Sequence, residues 1–157
     1  MTLQFNERNN QFARDNGYVN CAFGLKLKTP RIKARDRATA SSEERSSNNA
    51  VTQSWGQLMN RAFNEFDERV ESAGKNHDVL MINTIHDALY GLCKATPETV
   101  KWVNDNLIPC MEWQEHPALQ SEIGLGAELD IGPSWDKQTT LKNGMSLGDI
   151  TEVMYEI

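Results

Sequence analysis

Val79-Leu-Met-Ile-Asn-Thr-Ile85 and Ala88-Leu-Tyr-Gly-Leu-Cys93 are short apolar runs, and the polar pair His86-Asp87 separates them. Short runs rich in Val, Ile and Leu predict β-strands, and a polar dipeptide between two of them predicts a β-hairpin or a bent strand pair. The pair would be exposed at the strand ends, where the backbone is held on both sides. This strand–turn–strand, set among helical patterns, predicts an α+β fold.

A long amphipathic helix is predicted upstream, from about residue 42 to about residue 73. Ser41-Ser-Glu-Glu44 fits a capping box, with Ser at the cap and Glu three residues later. Gly74 is typical of a helix end. Gaps of three and four residues place one set of apolar side chains on a single helical face, which we expect to pack in the core: Val51, Trp55, Leu58, Met59, Ala62, Phe66 and Val70.

Shorter elements are predicted before this helix. Residues 5–16 are predicted to be helical and to end at Asn16-Gly17, since Asn-Gly is a turn signal. Residues 18–30 read as two strand-like runs on either side of Gly24, which predicts a basic hairpin. Residues 31–41 are polar and basic and are predicted to be a loop.

The elements after the strand–turn–strand begin with a second, shorter helix. Thr96-Pro97-Glu98 predicts its start, with Thr as the cap and Pro at the first position, and it is expected to end at about Leu107, before Pro109. The remaining predicted elements are a strand at 124–131, a turn at Gly132-Pro133 and a short helix at 146–155.

Length and composition restrict the class of protein. A chain of 157 residues is one domain by length and can bury a substantial core. No run approaches the ~18 apolar residues of a membrane span, and the N-terminus lacks a signal-peptide layout. The three cysteines are widely spaced and odd in number. They predict neither a CxxC metal site nor a disulfide framework, which fits a cytoplasmic location.

Charge is distributed unevenly along the chain. The net charge is −6, yet residues 1–61 hold ten Lys and Arg against five Asp and Glu. A basic face on an acidic protein can contact phosphates. Six cations fall within twelve residues, although a solvated loop explains each one equally well: Lys26, Lys28, Arg31, Lys33, Arg35 and Arg37.

Three interpretations of His86-Asp87 remain open from the residues alone. A carboxylate on a rigid support suits Mg²⁺, and two-metal phosphoryl transfer needs carboxylates converging from separate elements. Asp is also common in turns, and the dipeptide by itself favours a simple turn. A His-Asp phosphohydrolase would use His77-Asp78 as a second pair, but that chemistry needs several His ligands, with the pair on a helix.

A polar stripe follows the predicted long helix. Arg45, Asn49, Gln53 and Gln57 recur every four residues, roughly opposite the apolar face. Asn, Gln and Arg can donate hydrogen bonds to the acceptors of a nucleic-acid minor groove. Every amphipathic helix has a polar face, but a solvated one is usually richer in Lys and Glu.

Together and in this order, these motifs resemble the C-terminal end of family A (polymerase I-like) DNA polymerases, over about residues 5–137. That family has a Gly-Tyr-Val strand before a hairpin, then Glu-Arg followed by Asn and Gln, then a strand ending in His-Asp, and finally Gly and Trp-Asp. The matching residues are Gly17-Tyr18-Val19, Glu44-Arg45, Asn49, Gln53, His86-Asp87, Gly132 and Trp135-Asp136.

The resemblance implies a fold and a set of roles. The α+β fold would have a palm-type antiparallel sheet, the long helix, the basic hairpin and the second, shorter helix. Asp87 would be the second of two aspartates that bind the catalytic Mg²⁺ pair, and His86 would lie near the primer terminus. The remaining predicted ligands are primer–template DNA and dNTP, and the residues predicted to contact the DNA are Arg45, Asn49, Gln53, Lys26, Lys28 and Arg31.

The sequence also departs from the family pattern. Ala88 stands where the family has Glu, and Leu25 stands where its hairpin has Arg. The family's first metal-binding aspartate and its nucleotide-binding fingers cannot be placed in residues 1–40. The chain is therefore expected to be inactive alone.

These departures favour one subunit of a split phage polymerase, working in the cytoplasm of the infected bacterium. A larger partner chain would complete the palm, fingers and thumb, and Val51, Trp55 and the strand at 79–85 would help to form the interface or a shared core. Residues 1–137 would form the palm portion, and residues 138–157 an extension of unknown role. The alternative is a nucleic-acid-binding module with a vestigial catalytic site.

Overall fold

The computed structural model describes residues 2–119 and 122–157. It divides into two compact units, an N-terminal unit that ends at Gln57 and a C-terminal unit that begins at Leu58. Within the described residues, helices accompany three two-stranded antiparallel sheets. The predicted α+β class is therefore confirmed. None of the described helices combines the length and the apolar character needed to cross a membrane.

The N-terminal unit joins two helices and a hairpin. Helix α1 ends where Gly17 takes a φ of 76° and its amide donates to the Ala13 carbonyl. A small apolar cluster joins these elements and consists of Ala13, Val19, Cys21 and Ile32. The elements are α1 (Thr2–Asn16), β1 (Tyr18–Asn20), β2 (Lys26–Lys28) and α2 (Arg37–Gln53).

Polar contacts fasten α1 to α2. The Glu44 carboxylate, only 12% exposed, forms ion pairs with Arg14 of α1 and with Arg37. Asn48 exchanges amide hydrogen bonds with Asn9 and Asn10 at 2.6 and 3.1 Å. The exposed polar side of α2 is consequently held at a fixed rotation relative to α1.

The start of α2 differs from the prediction. The helix begins at Arg37, and its N-cap is Asp36, whose carboxylate accepts hydrogen bonds from the Thr39 hydroxyl and from the amides of Thr39 and Ala38. These bonds, led by that from the Thr39 side chain, lower the pKa of Asp36. The capping box at Ser41 is therefore wrong, because the Asp36 carboxylate reaches two amides and caps the helix five residues earlier.

The predicted single helix is interrupted after Gln53. A 3₁₀ turn occupies Ser54–Gly56 before α3 begins at Gln57. The Ser54 hydroxyl donates to the Val51 carbonyl and accepts from the Ala22 amide, and such side-chain bonds compete with helical geometry. Trp55 lies 43% exposed on this turn, so its predicted place in the core is wrong, whereas Phe66 is fully buried as predicted.

The C-terminal unit packs helices on one face of a hairpin. Its main core cluster draws on α3, β3 and α4: Ala62, Phe66, Val70, Val79, Val103, Leu107 and Cys110. Burial raises the pKa of the Cys110 thiol to about 11. The elements are α3 (Gln57–Ser72), β3 (Val79–Ile85), β4 (Ala88–Cys93), α4 (Pro97–Met111), β5 (Leu129–Ser134), β6 (Lys137–Leu141) and α5 (Leu147–Glu156).

Two predicted boundaries in this unit are wrong. Helix α4 is capped by Thr96 as predicted but continues through Pro109 to Met111, because the proline falls in the last turn and its cost is confined to the helix end. Gly132-Pro133 lies inside β5, where the register shifts, and the turn is Trp135-Asp136.

We predict that Gly132→Ala destabilises the C-terminal unit. A Cβ at this position would come 2.8 Å from the Lys137 carbonyl carbon, in the backbone of β6, which cannot move away as a flexible side chain does. The free energy of unfolding should fall by about 1–3 kcal/mol, as for other overpacked sites. The urea midpoint measures this. Gly126→Ala is the control, because its Cβ meets nothing within 4 Å; equal midpoints for the two variants would contradict the prediction.

We predict that Glu44→Gln loosens the N-terminal unit. The change removes the charge that holds Arg14 and Arg37, at a cost of about 1–3 kcal/mol for a charge-assisted bond in a mostly buried place. Glu7→Gln on the exposed side of α1 provides the matched control. A urea midpoint for Glu44→Gln no lower than that of the control would refute the anchoring role.

Candidate metal and nucleic-acid sites

His86 and Asp87 form the two-residue turn of the β3–β4 hairpin. Ile85 pairs with Ala88 across this turn, so the hairpin interpretation is confirmed over the bent strand pair. His86 has a φ of 54°, a left-handed conformation that non-glycine residues adopt at an energetic cost. Both side chains are exposed.

The side chains of His86 and Asp87 make no hydrogen bond or ion pair with the described residues. The backbone beneath them is supported, since Val79, Met81 and Leu89 pack on the core cluster. The tip therefore presents one carboxylate and one imidazole to an external ligand from a fixed hairpin.

A complete metal centre is not formed by the described residues. Over residues 2–119 and 122–157, no three His, Cys, Asp or Glu side chains come together as a possible metal site. Asp87 therefore belongs to no such cluster among these residues. Asp78 of the second His-Asp pair instead lies 3.8 Å from Lys94.

Three members of the predicted polar stripe lie on the exposed side of α2, and the fourth, Gln57, is the first residue of α3. Arg45, Asn49 and Gln53 are all exposed, and the Arg45 guanidinium donates to the Ser41 hydroxyl at 3.1 Å. Among the described residues, the side-chain amides of Asn49 and Gln53 have no hydrogen-bond partner. These amides are accordingly available to an external acceptor.

The predicted basic residues differ in their surroundings. Lys26 and Lys28 are exposed on β2, and the Lys26 ammonium lies 4.7 Å from the centre of the Tyr18 ring. Arg31 is exposed in the turn after β2, whereas Arg37 is paired with Glu44. The stripe and these cations belong to the N-terminal unit and His86-Asp87 to the C-terminal unit, so they are two candidate sites, each defined within its own unit.

One contact near the tip is not foreshadowed by any pattern in the sequence. The Trp135 ring, at the turn between β5 and β6, lies 5.0 Å from the Tyr90 ring of β4. The Ser134 hydroxyl donates to the Asp136 carboxylate at 2.6 Å, which lowers the pKa of Asp136. The spacing of Tyr90 and Trp135 along the chain gives no periodic pattern that would have paired them.

Known proteins resemble this chain over most of its length. It is 26% identical over 132 residues to DNA polymerase I of Rhizobium leguminosarum, which covers 83% of this chain and 13% of that protein. It is 27% identical over 136 residues to DNA polymerase I of Pseudomonas aeruginosa, covering 86% and 14%. The chain therefore spans about one seventh of the length of these relatives.

The fold also has a counterpart among solved structures. The POL domain of Pol1 from M. smegmatis, in complex with DNA primer-template and dNTP, superposes with a TM-score of 0.64 at 18% identity, covering 78% of this chain and 20% of that chain. Residues 2–137 match the family model described as DNA polymerase family A. The chain belongs to DNA polymerase family A.

Proposed function

We propose that this chain is the C-terminal palm portion of a template-directed DNA polymerase that acts in DNA replication, with residues 1–137 as that portion and Asp87 as a metal-binding residue. The observation that carries the proposal is the His86-Asp87 turn, whose exposed side chains stand on a hairpin backed by a buried core. Family membership over residues 2–137 supplies the chemical context.

Asp87 would hold one side of a shared Mg²⁺ pair. Two divalent ions in such a centre stabilise the attacking and leaving oxygens of phosphoryl transfer. Asp87 contributes a carboxylate at a fixed position, and the exposed His86 imidazole can donate to a primer-terminal oxygen. The hairpin supports this role because carboxylates that position a metal need a rigid base.

The exposed side of α2 would contact the primer–template minor groove. Asn49 and Gln53 offer amides that no described residue engages, and Arg45 adds a guanidinium on the same side. Lys26, Lys28 and Arg31 would bind phosphates, which give affinity without sequence selection. The Glu44 ion pairs support the proposal, because they hold this side of α2 in a fixed orientation.

A larger polymerase chain would complete the enzyme. Two-metal transfer needs a second carboxylate from a separate element, and the described residues bring none to Asp87. The outer face of the β3–β4 hairpin supports a partner as well, since Leu80, Ile82 and Leu92 are 54%, 58% and 62% exposed. We propose a phage origin and the cytoplasm of the infected bacterium as the place of action.

We predict that Asp87→Ala abolishes primer extension by the complex of this chain with that larger chain. Loss of a metal-binding carboxylate should lower kcat by ~100-fold or more, because the charge that develops in the transition state loses its counter-ion. Extension assays with saturating dNTP and Mg²⁺ measure the effect. Asp67→Ala removes an equally exposed carboxylate from α3 and should leave kcat unchanged.

Two results would contradict the proposal. Full extension by the Asp87→Ala complex would favour a nucleic-acid-binding module with a vestigial site. Extension by this chain without any partner would refute the shared catalytic centre.

We predict that Asn49→Ala and Gln53→Ala each weaken primer–template binding by the complex. The loss of one hydrogen bond costs on the order of 1 kcal/mol, or roughly fivefold in Kd. Fluorescence anisotropy with a labelled duplex at fixed salt measures Kd. Asn64→Ala, an exposed amide on α3, is the matched control; affinities of the α2 variants equal to that of the control would remove the minor-groove role.

A further inference from the structure

The turn between β5 and β6 lies against the hairpin that carries His86-Asp87. Trp135 and Tyr90 have their ring centres 5.0 Å apart with the planes inclined by 50°. Tyr90 pairs with Asn83, and two further residue pairs separate it from the His86-Asp87 turn. The contact is therefore made close to the tip and on the side of β4 away from Leu89, which packs on the core.

The tip needs support beyond its own strand pairing. A two-stranded hairpin is marginally stable in water unless one of its faces packs against other elements. Met81 and Leu89 pack against the main core cluster, whereas Ile85, beside the turn, is 37% exposed. His86 adds the cost of a positive φ, which persists only where the surroundings restrain the backbone.

The Trp135 side chain is 71% exposed and lies against the Tyr90 ring, and the turn that carries it is restrained by its own strands. The Ser134–Asp136 hydrogen bond and the strand pair Ser134–Lys137 restrain the turn that carries it. Beyond the turn, Leu141 of β6 and Ile150 of α5 are buried against Val100 of α4.

The loop between β6 and α5 is fastened to the same helix. The buried Asn104 side chain accepts a hydrogen bond from the Gly144 amide at 2.9 Å. Most of this anchoring comes from residues 138–157, which lie outside the family match of residues 2–137.

We propose that Trp135 is a positioning residue for Asp87 and that residues 138–157 serve to hold it there. The indole covers Tyr90 and restricts motion of the β3–β4 tip, so that the Asp87 carboxylate keeps one orientation. The catalytic meaning of this role rests on the proposed function, but the restriction of the tip does not.

The first test measures the tip directly in the full-length chain. Backbone amide hydrogen exchange of residues 85–88, followed by NMR, should accelerate roughly three- to tenfold in Trp135→Ala, because an aromatic pair is worth that much local stability. Trp135→Phe should restore slow exchange, since a phenyl ring still covers Tyr90. Amides of residues 79–81 serve as an internal reference for global unfolding and should not change.

Trp113→Ala is the matched control. Trp113 lies in the same unit, where its ring is stacked 3.7 Å from the Arg61 guanidinium. This variant should leave exchange at residues 85–88 unchanged. If Trp135→Ala exchanges at the tip as slowly as Trp113→Ala, or if it accelerates residues 79–81 equally, the positioning role is overturned.

The second test reads out catalysis in the complex with the larger polymerase chain. Trp135→Ala should lower kcat for primer extension about three- to tenfold, leave KM for dNTP unchanged and be rescued by Trp135→Phe. A change in KM alone would overturn the inference. If Asp87→Ala leaves extension intact while Trp135→Ala still accelerates exchange at the tip, the proposed function fails and the structural restraint stands.

Discussion

Burial of Phe66 between the two long helices of the C-terminal unit and the β3–β4 hairpin is the constraint on which the candidate metal site depends. The side chain is fully buried and its ring lies 5.7 Å from that of Trp102 on α4. Val79, Met81 and Leu89 meet the same cluster from the hairpin. Because this apolar contact fixes one face of the hairpin, its turn can project two polar side chains into solvent, although the strand register shifts between Met81 and Asn83.

A second constraint acts in the N-terminal unit through charge and not through apolar burial. That unit has a small apolar cluster, so the Glu44 ion pairs and the Asn48 amide contacts provide much of the specificity between α1 and α2. In the Glu-Arg motif, Glu44 faces α1 whereas Arg45 is exposed beside the free amides of Asn49 and Gln53. One short motif thus combines an anchor and a candidate ligand-binding residue.

The sequence was most informative where a pattern repeats. Two short apolar runs on either side of His86-Asp87 predicted the hairpin and its exposed tip, and helical spacing predicted the burial of Phe66. Local side-chain hydrogen bonds overrode the pattern elsewhere. Asp36 caps α2 ahead of Ser41, and the Ser54 hydroxyl bonds to backbone groups at a 3₁₀ turn on which Trp55 is exposed. The Trp135–Tyr90 contact joins residues far apart in the chain, and no local rule encodes it.

The central claim is that Asp87 is one carboxylate of a metal centre completed by a second chain. A crystal structure of the complex with primer–template, dNTP and Mg²⁺ tests it most directly. The account predicts an Asp87 carboxylate oxygen about 2.0–2.1 Å from Mg²⁺, the usual ligand distance for this ion, with a carboxylate of the larger chain on the same ion. A fully assembled complex in which Mg²⁺ is coordinated without Asp87 would contradict it.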